Sequence, residues 1–119
     1  MMIRNKTRNV VLASLVKIAD NPFTRIRGLL HKACLLKGEA LMIKPCNSIH
    51  MFFMRFPIDV VFVDKNDTVV GIVENIQPFG LSPIFWKAQY AIELPARIIQ
   101  STQTALGDVL EMVALNPIK

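Results

Sequence analysis

The sequence predicts a mostly β domain of α+β type with one principal helix near the N-terminus. Three observations carry this. The 119 residues are 52% hydrophobic and only 19% charged, enough for one packed core and too apolar for a disordered chain or a coiled coil. Most apolar residues fall in short runs bounded by Gly, Pro, Asn and Asp, as strands do. One stretch alone has helical spacing.

Taken in order, Asn9 to Ala19 is rich in Val, Leu and Ile and reads as a strand. Arg4, Lys6 and Arg8 ahead of it give the charge order of a secretory leader. The apolar run is short, however, and Lys17 interrupts it without a small-residue cleavage site, so a cytoplasmic location is expected. Asp20, Asn21 and Pro22 supply a cap and a first helical turn. From Phe23 onward Ile26, Leu29, Leu30 and Ala33 share one face, which predicts the principal helix. Lys37-Gly38-Glu39 turns into the run Ala40 to Ile43.

Pro45 opens Cys46 to His50, and Met51, Phe52, Phe53, Met54 and Phe56 precede Pro57. Ile58 to Val63 is a strand, Asp64 to Asp67 a turn, and Thr68 to Val73 its hairpin mate. Residues 75–87 form a loop whose Pro78, Gly80 and Pro83 alternate with Phe79, Leu81, Ile84, Phe85 and Trp86, side chains that call for cover. Tyr90 to Leu94 is a strand ended by Pro95. Ala96 to Gln103 is a weak helix or irregular bridge, and Val109 to Leu115 is the last strand.

No apolar run approaches the roughly 20 residues needed to cross a bilayer as a helix. The net charge of +5 is uneven: residues 1–37 carry eight basic side chains against Asp20 alone. Such a pole attracts anions, but the aromatic residues sit in core-like runs rather than among the basic ones, so nucleic acid is disfavoured as a partner. Two cysteines cannot make a disulfide scaffold. The phosphate-loop, dinucleotide, zincin, nucleophile-elbow and calcium-loop motifs are absent. No cofactor is called for.

His31, Cys34, Cys46 and His50 are the metal-ligand types present, and their spacings permit a tetrahedral zinc site without the tight C-x2-C signature. No metal is favoured, since free Cys is commonly a small buried hydrophobe. Cys46 and His50 also allow a nucleophile with its base, oriented by Asp59 or Glu93. Both acids interrupt apolar strands, so each carboxylate must find water or a donor. For Asp59 the simplest donors are nearby backbone amides or Arg55. General acid/base work would need the two acids brought together in space.

The stretch PCNSIHMFFMRFPIDVVFVDKNDTVV (residues 45–70) resembles uncharacterised protein family 0127, also called domain of unknown function 192. ADNPFTRIRGLLH (19–31), AIELP (91–95) and GDVLE (107–111) are similar to its flanking motifs, so the likeness spans residues 10–113. Matching positions are Arg27, Gly28, Leu29, Pro45, His50, Met54, Pro57, Asp59, Glu93, Leu94, Pro95, Gly107 and Asp108. Arg97 departs, standing where the family usually has Gly; His31 and Cys46 occupy positions that are not uniform in the family. The resemblance implies a compact barrel-like or sandwich-like sheet and no established catalytic role. Many members look exported, whereas this chain shows no convincing leader.

The leading expectation is a binding domain for a small molecule or a protein, with a rim near His50, Asp59 and the loop 78–86. Its binding candidates are His50, Met54, Asp59, Phe79, Trp86 and Glu93. The alternatives are a small enzyme built on Cys46, His50 and a carboxylate (Asp59 or Glu93), and a structural or protein-interaction domain. An exposed apolar face on the loop favours an interface; polar side chains converging in a cleft favour a small ligand.

Overall fold

The computed structural model describes residues 1–21, 34–51 and 54–114. In these residues the strands are β1 (Met2–Asn5), β2 (Val10–Ala13), β3 (Leu15–Ala19), β4 (Glu39–Ile43), β5 (Ile58–Val63), β6 (Val69–Ile76), β7 (Tyr90–Pro95) and β8 (Leu110–Val113). A short helix, α1 (Ile98–Thr102), lies between the last two. They make a three-stranded sheet in the order β2-β1-β8 and a five-stranded sheet in the order β3-β4-β7-β5-β6, in which only β3 and β4 pair in parallel.

The alternation of side chains along the central strands places the core. On β5, Val61 and Val63 join Ile3, Leu12, Met42, Ile92 and Leu94 in a cluster between the two sheets. Ile58, Val60 and Phe62 point the other way, into a second cluster with Leu41, Ile43, Ile49, Met51 and Met54. Both faces of the five-stranded sheet are therefore covered, and every residue of β5 is buried. A continuous apolar run in place of strict alternation is the expected signature of a strand covered on both sides.

Two expectations are corrected, one falls outside the described residues, and one strand is additional. The sheets pack face to face and do not close, so the barrel-like alternative falls and a sandwich-like arrangement stands. The principal helix expected from Phe23 to Ala33 lies outside the described residues; the helix they do contain, α1, is near the C-terminus. The single strand expected over Asn9 to Ala19 is two strands in different sheets, because the amides of Ser14 and Leu15 both donate to the Gly38 carbonyl, at 2.8 and 2.9 Å, and turn the chain there. Finally, β1 was not anticipated: four residues including Arg4 and Asn5 carry no strand pattern, and their pairing with β8 comes from the far end of the chain.

The hairpin of β5 and β6 forms as expected. Asp64 Oδ1 accepts the amides of Asn66 and Thr68 at 2.8 and 3.0 Å, an Asx-type turn encoded locally. At the start of α1, Arg97 holds φ 80° and ψ −2°, a left-handed conformation that costs a residue with Cβ roughly 1 kcal/mol or more. The side chain is exposed. Arg97→Gly is expected to stabilise the fold by about 0.5–1 kcal/mol, read as a higher urea midpoint with an unchanged slope. A lower midpoint would contradict this account of the turn.

Candidate functional site

The loop between β6 and β7 is built onto the preceding 46–51 segment by backbone bonds. Met51 donates to the Gly80 carbonyl (2.8 Å), Phe79 to that of Met51 (2.7 Å), Ser82 to that of Ile49 (2.9 Å) and Phe85 to that of Asn47 (2.8 Å). His50 and Leu81 form an antiparallel bridge, and the Ile49 amide donates to Ser82 Oγ at 2.8 Å. Underneath, Ile49, Met51 and Met54 pack into the second core cluster, so this two-ply strap covers one face of the five-stranded sheet. The loop is thus held from two sides.

Its large side chains are mostly not covered, contrary to expectation. Phe85 packs down: its ring lies 4.5 Å from that of Phe62, over Gly71, where a Cβ would come within 2.4 Å of it. Phe79, Leu81, Ile84 and Trp86 remain 65%, 67%, 50% and 81% exposed. Pro78 and Pro83, which lack an amide donor, and Phe79 at φ 67° keep the segment from becoming a regular edge strand that buries alternate residues. The outcome is an apolar ridge on a fixed backbone.

The four residues weighed for catalysis lie in three places. Cys46 and His50 belong to the strap; the partly buried Cys46 thiol donates to the Ser48 carbonyl at 3.1 Å, and His50 is exposed. Asp59 is fully buried on the opposite face of the five-stranded sheet, where Oδ1 accepts the Asn75 amide (2.8 Å) and Oδ2 the Ile99 amide (3.0 Å). Its carboxylate ties β5 to the end of β6 and to the first turn of α1. Glu93 lies on the strap side of β7, directly across from Leu41 and Val60. The sheet separates the two carboxylates, so they cannot share a proton or a substrate.

Glu93 is 5% exposed, and burial alone acts on its carboxyl. Burial pushes its pKa up from the usual carboxylate range to about 7. Met54 lies in the same layer, with its amide donating to the Met51 carbonyl at 3.2 Å. Of the four metal-ligand candidates, His31 is outside the described residues; Cys34 and Cys46 are not joined in a disulfide, and no cluster of three ligand types occurs among the described residues. The basic pole is partly consumed internally: Arg8 pairs with Asp108 at 3.0 Å and Arg4 with Glu111 at 3.7 Å.

One polar group beyond these candidates is prominent. Asp108 Oδ2 accepts from Asn5 Nδ2 (2.9 Å), Arg8 Nε (3.0 Å) and the Ala105 amide (3.0 Å). Burial opposes its ionised form, but these bonds and the Arg8 charge outweigh burial and hold its pKa below the ordinary value. This node joins β1 to the turn before β8. Its sequence signal was the Gly107-Asp108 pair, which reads only as a turn.

The family model DUF192, described as "Uncharacterized ACR", matches residues 3–112. A UPF0127 protein of Thermococcus sibiricus is 35% identical over 115 residues, covering 92% of this chain and 73% of that protein. One of Pyrococcus horikoshii is 33% identical over 113 residues, covering 92% and 97%. A solved structure of a protein of unknown function from Novosphingobium aromaticivorans superposes with a TM-score of 0.79 at 17% identity, over 93% of this chain and 82% of that one. At that identity the likeness is one of fold.

Proposed function

The chain belongs to the DUF192 family, whose biochemical function is uncharacterised, and on that premise we propose that it is a binding domain that engages an apolar surface of a partner protein through the strap ridge. The observation that carries this reading is the exposure of Phe79, Leu81, Ile84 and Trp86 on a backbone fixed by at least four interstrand bonds. Exposed apolar side chains on a loose loop collapse; on a rigid one they stay available for a partner, with little ordering entropy left to lose. His50 sits on the outer side of the same strap as a polar group at the rim. Met54 supports it from below, and Asp59 serves the scaffold beneath. A cytoplasmic setting belongs to this reading and is supported by two cysteines that are not joined in a disulfide. Among the described residues no helix is long and apolar enough to cross a membrane.

Trp86 is the only tryptophan, which makes the test direct. The double variant Leu81→Ser/Trp86→Ser should keep its stability within about 0.5 kcal/mol, since both side chains are exposed. Proteins recovered on the wild-type chain should fall by at least about tenfold on the variant, a loss of ~1.4 kcal/mol or more. Titrating a recovered partner should also shift Trp86 emission to the blue. Equal recovery on both chains overturns the proposal.

A further inference from the structure

The strap ridge has two properties that its apolar side chains do not account for. The first is an open backbone edge. His50 and Leu81 face each other across the strap, and the bonds beside them run from the Ser82 amide to the Ile49 carbonyl and from the Met51 amide to the Gly80 carbonyl. The pair is therefore of the non-hydrogen-bonded kind: its two side chains share one face, and the N–H and C=O of Leu81 point away from the strap. Among the described residues neither group of Leu81 has a hydrogen-bonding partner. Pro83, which has no N–H, limits this edge to a short stretch around Leu81. The second property is charge. Residues 45–57 and 77–89, which include the strap and its loop, contain Arg55 and Lys87 but no Asp or Glu. Both cations are exposed, and neither meets a carboxylate among the described residues. Lys87 follows Trp86 in the turn that the Ala88 amide closes on the Phe85 carbonyl, at 2.8 Å.

We propose that the partner segment docking on the ridge is extended and acidic: it adds beside Leu81 as a short outer strand of the strap and sets carboxylates against Arg55 and Lys87. This rests on the reading of the ridge as a protein-binding surface and specifies what that surface takes. A peptide backbone supplies both an acceptor for the Leu81 amide and a donor for its carbonyl, as in strand addition at a sheet edge. Lipid tails supply neither. Alternate side chains of an added strand lie on one face, so an apolar residue at every second position meets the ridge while its neighbours turn away. The sign of the segment follows from the missing acids. A basic segment would meet only like charge, whereas an acidic one is attracted at both cations. A second copy of this chain would bring the same two cations to the contact. Charge then speeds encounter and fixes register, and the buried apolar side chains supply most of the affinity.

The probe is a phage-displayed library of random peptides, panned on the wild-type chain and counter-panned on Leu81→Ser/Trp86→Ser. Enriched peptides should combine apolar residues with an excess of Asp and Glu. A synthetic copy of one should bind the wild-type chain with a Kd of about 0.1 mM or tighter, and Arg55→Glu/Lys87→Glu at least about tenfold more weakly. Both of those side chains are exposed, so the charge-reversed chain should keep the wild-type urea midpoint. In the complex the Leu81 amide should exchange with solvent at least about tenfold more slowly than in the free chain. The proposal is overturned by enriched peptides without an acidic excess, by equal affinity for the charge-reversed chain, or by a Leu81 amide that exchanges as fast bound as free. Absence of any ridge-dependent peptide also overturns it; binding to phosphatidylserine vesicles, or self-association, that is lost in Leu81→Ser/Trp86→Ser would then identify a bilayer or a second copy as the occupant. Peptides that need the ridge but fail the charge and exchange criteria leave the partner-binding reading intact, whereas equal protein recovery on the wild type and the ridge variant removes that reading itself.

Discussion

Glu93→Gln is expected to make the protein more stable at pH 8, by about 2–3 kcal/mol, and to leave it nearly unchanged at pH 4.5. Glu93 is raised from 4.5 to about 7 by burial alone. Below the ordinary value both folded and unfolded chains hold the proton, and the full stability is present. Between 4.5 and 7 the unfolded chain ionises while the folded one retains its proton, so stability falls as pH rises. Above 7 both forms are ionised and the loss is complete. Glutamine cannot ionise, so its difference from the wild type should grow across this window and then level. In a domain of this size the gain at pH 8 corresponds to about 10 °C in Tm. Asp108, with its pKa held low, works in the opposite sense: its stabilisation is full above the ordinary carboxylate value and fades as acid is added. That term is common to wild type and variant and cancels in the difference. A pH-independent difference would show that Glu93 is not ionising in a dry setting.

A carboxylate that lowers stability near neutral pH, with burial alone acting on it, has the character of a group kept for something other than the fold. Asp108 and Asp59 show the contrast. Each is buried as deeply, yet each accepts two or three well-formed bonds. The chain evidently can satisfy a buried acid when the role is structural.

How far the sequence foretold this follows from how local each signal was. The β5–β6 hairpin was legible because Asp64 organises its own turn, and the flanking run is too apolar to be anything but a buried strand. The break at Ser14 was not, since it depends on the carbonyl of Gly38, which only the tertiary fold brings near. The membership of β1 in a separate sheet depends on β8 in the same way. For the site, the parity along β5 was readable: Asp59 had to share a face with Val61 and Val63. That Glu93 faces the other layer required the register of β7 against β5, which pairs it with Val60 and leaves Asp59 opposite Leu94. Two acids that look equivalent in sequence are therefore distinguished by a one-residue matter of register. The exposure of the ridge was hidden for a related reason. Composition shows how much apolar surface a loop carries, and the proline and positive-φ backbone that holds it outward appears only in three dimensions.

Asp59→Asn is expected to be nearly as damaging as Asp59→Ala, and both should cost about 3–5 kcal/mol, the range for breaking a buried charged hydrogen-bond network. The argument rests on counting acceptors. The carboxylate offers one oxygen to Asn75 and the other to Ile99, amides on two different elements. Asparagine keeps one of those acceptors and places an NH2 group where the second amide already points its hydrogen. One bond survives and the other becomes a donor facing a donor. Alanine loses both, and leaves two backbone N–H groups without their acceptor beside a position that is itself fully buried. If Asp59 served instead as a ligand-contacting acid at the rim, asparagine would be well tolerated by the fold and only binding would suffer. Denaturant melts of the two variants separate these cases. Two lowered midpoints of similar size, with α1 amides losing protection from hydrogen exchange, identify a structural clamp; a wild-type midpoint for Asp59→Asn refutes it.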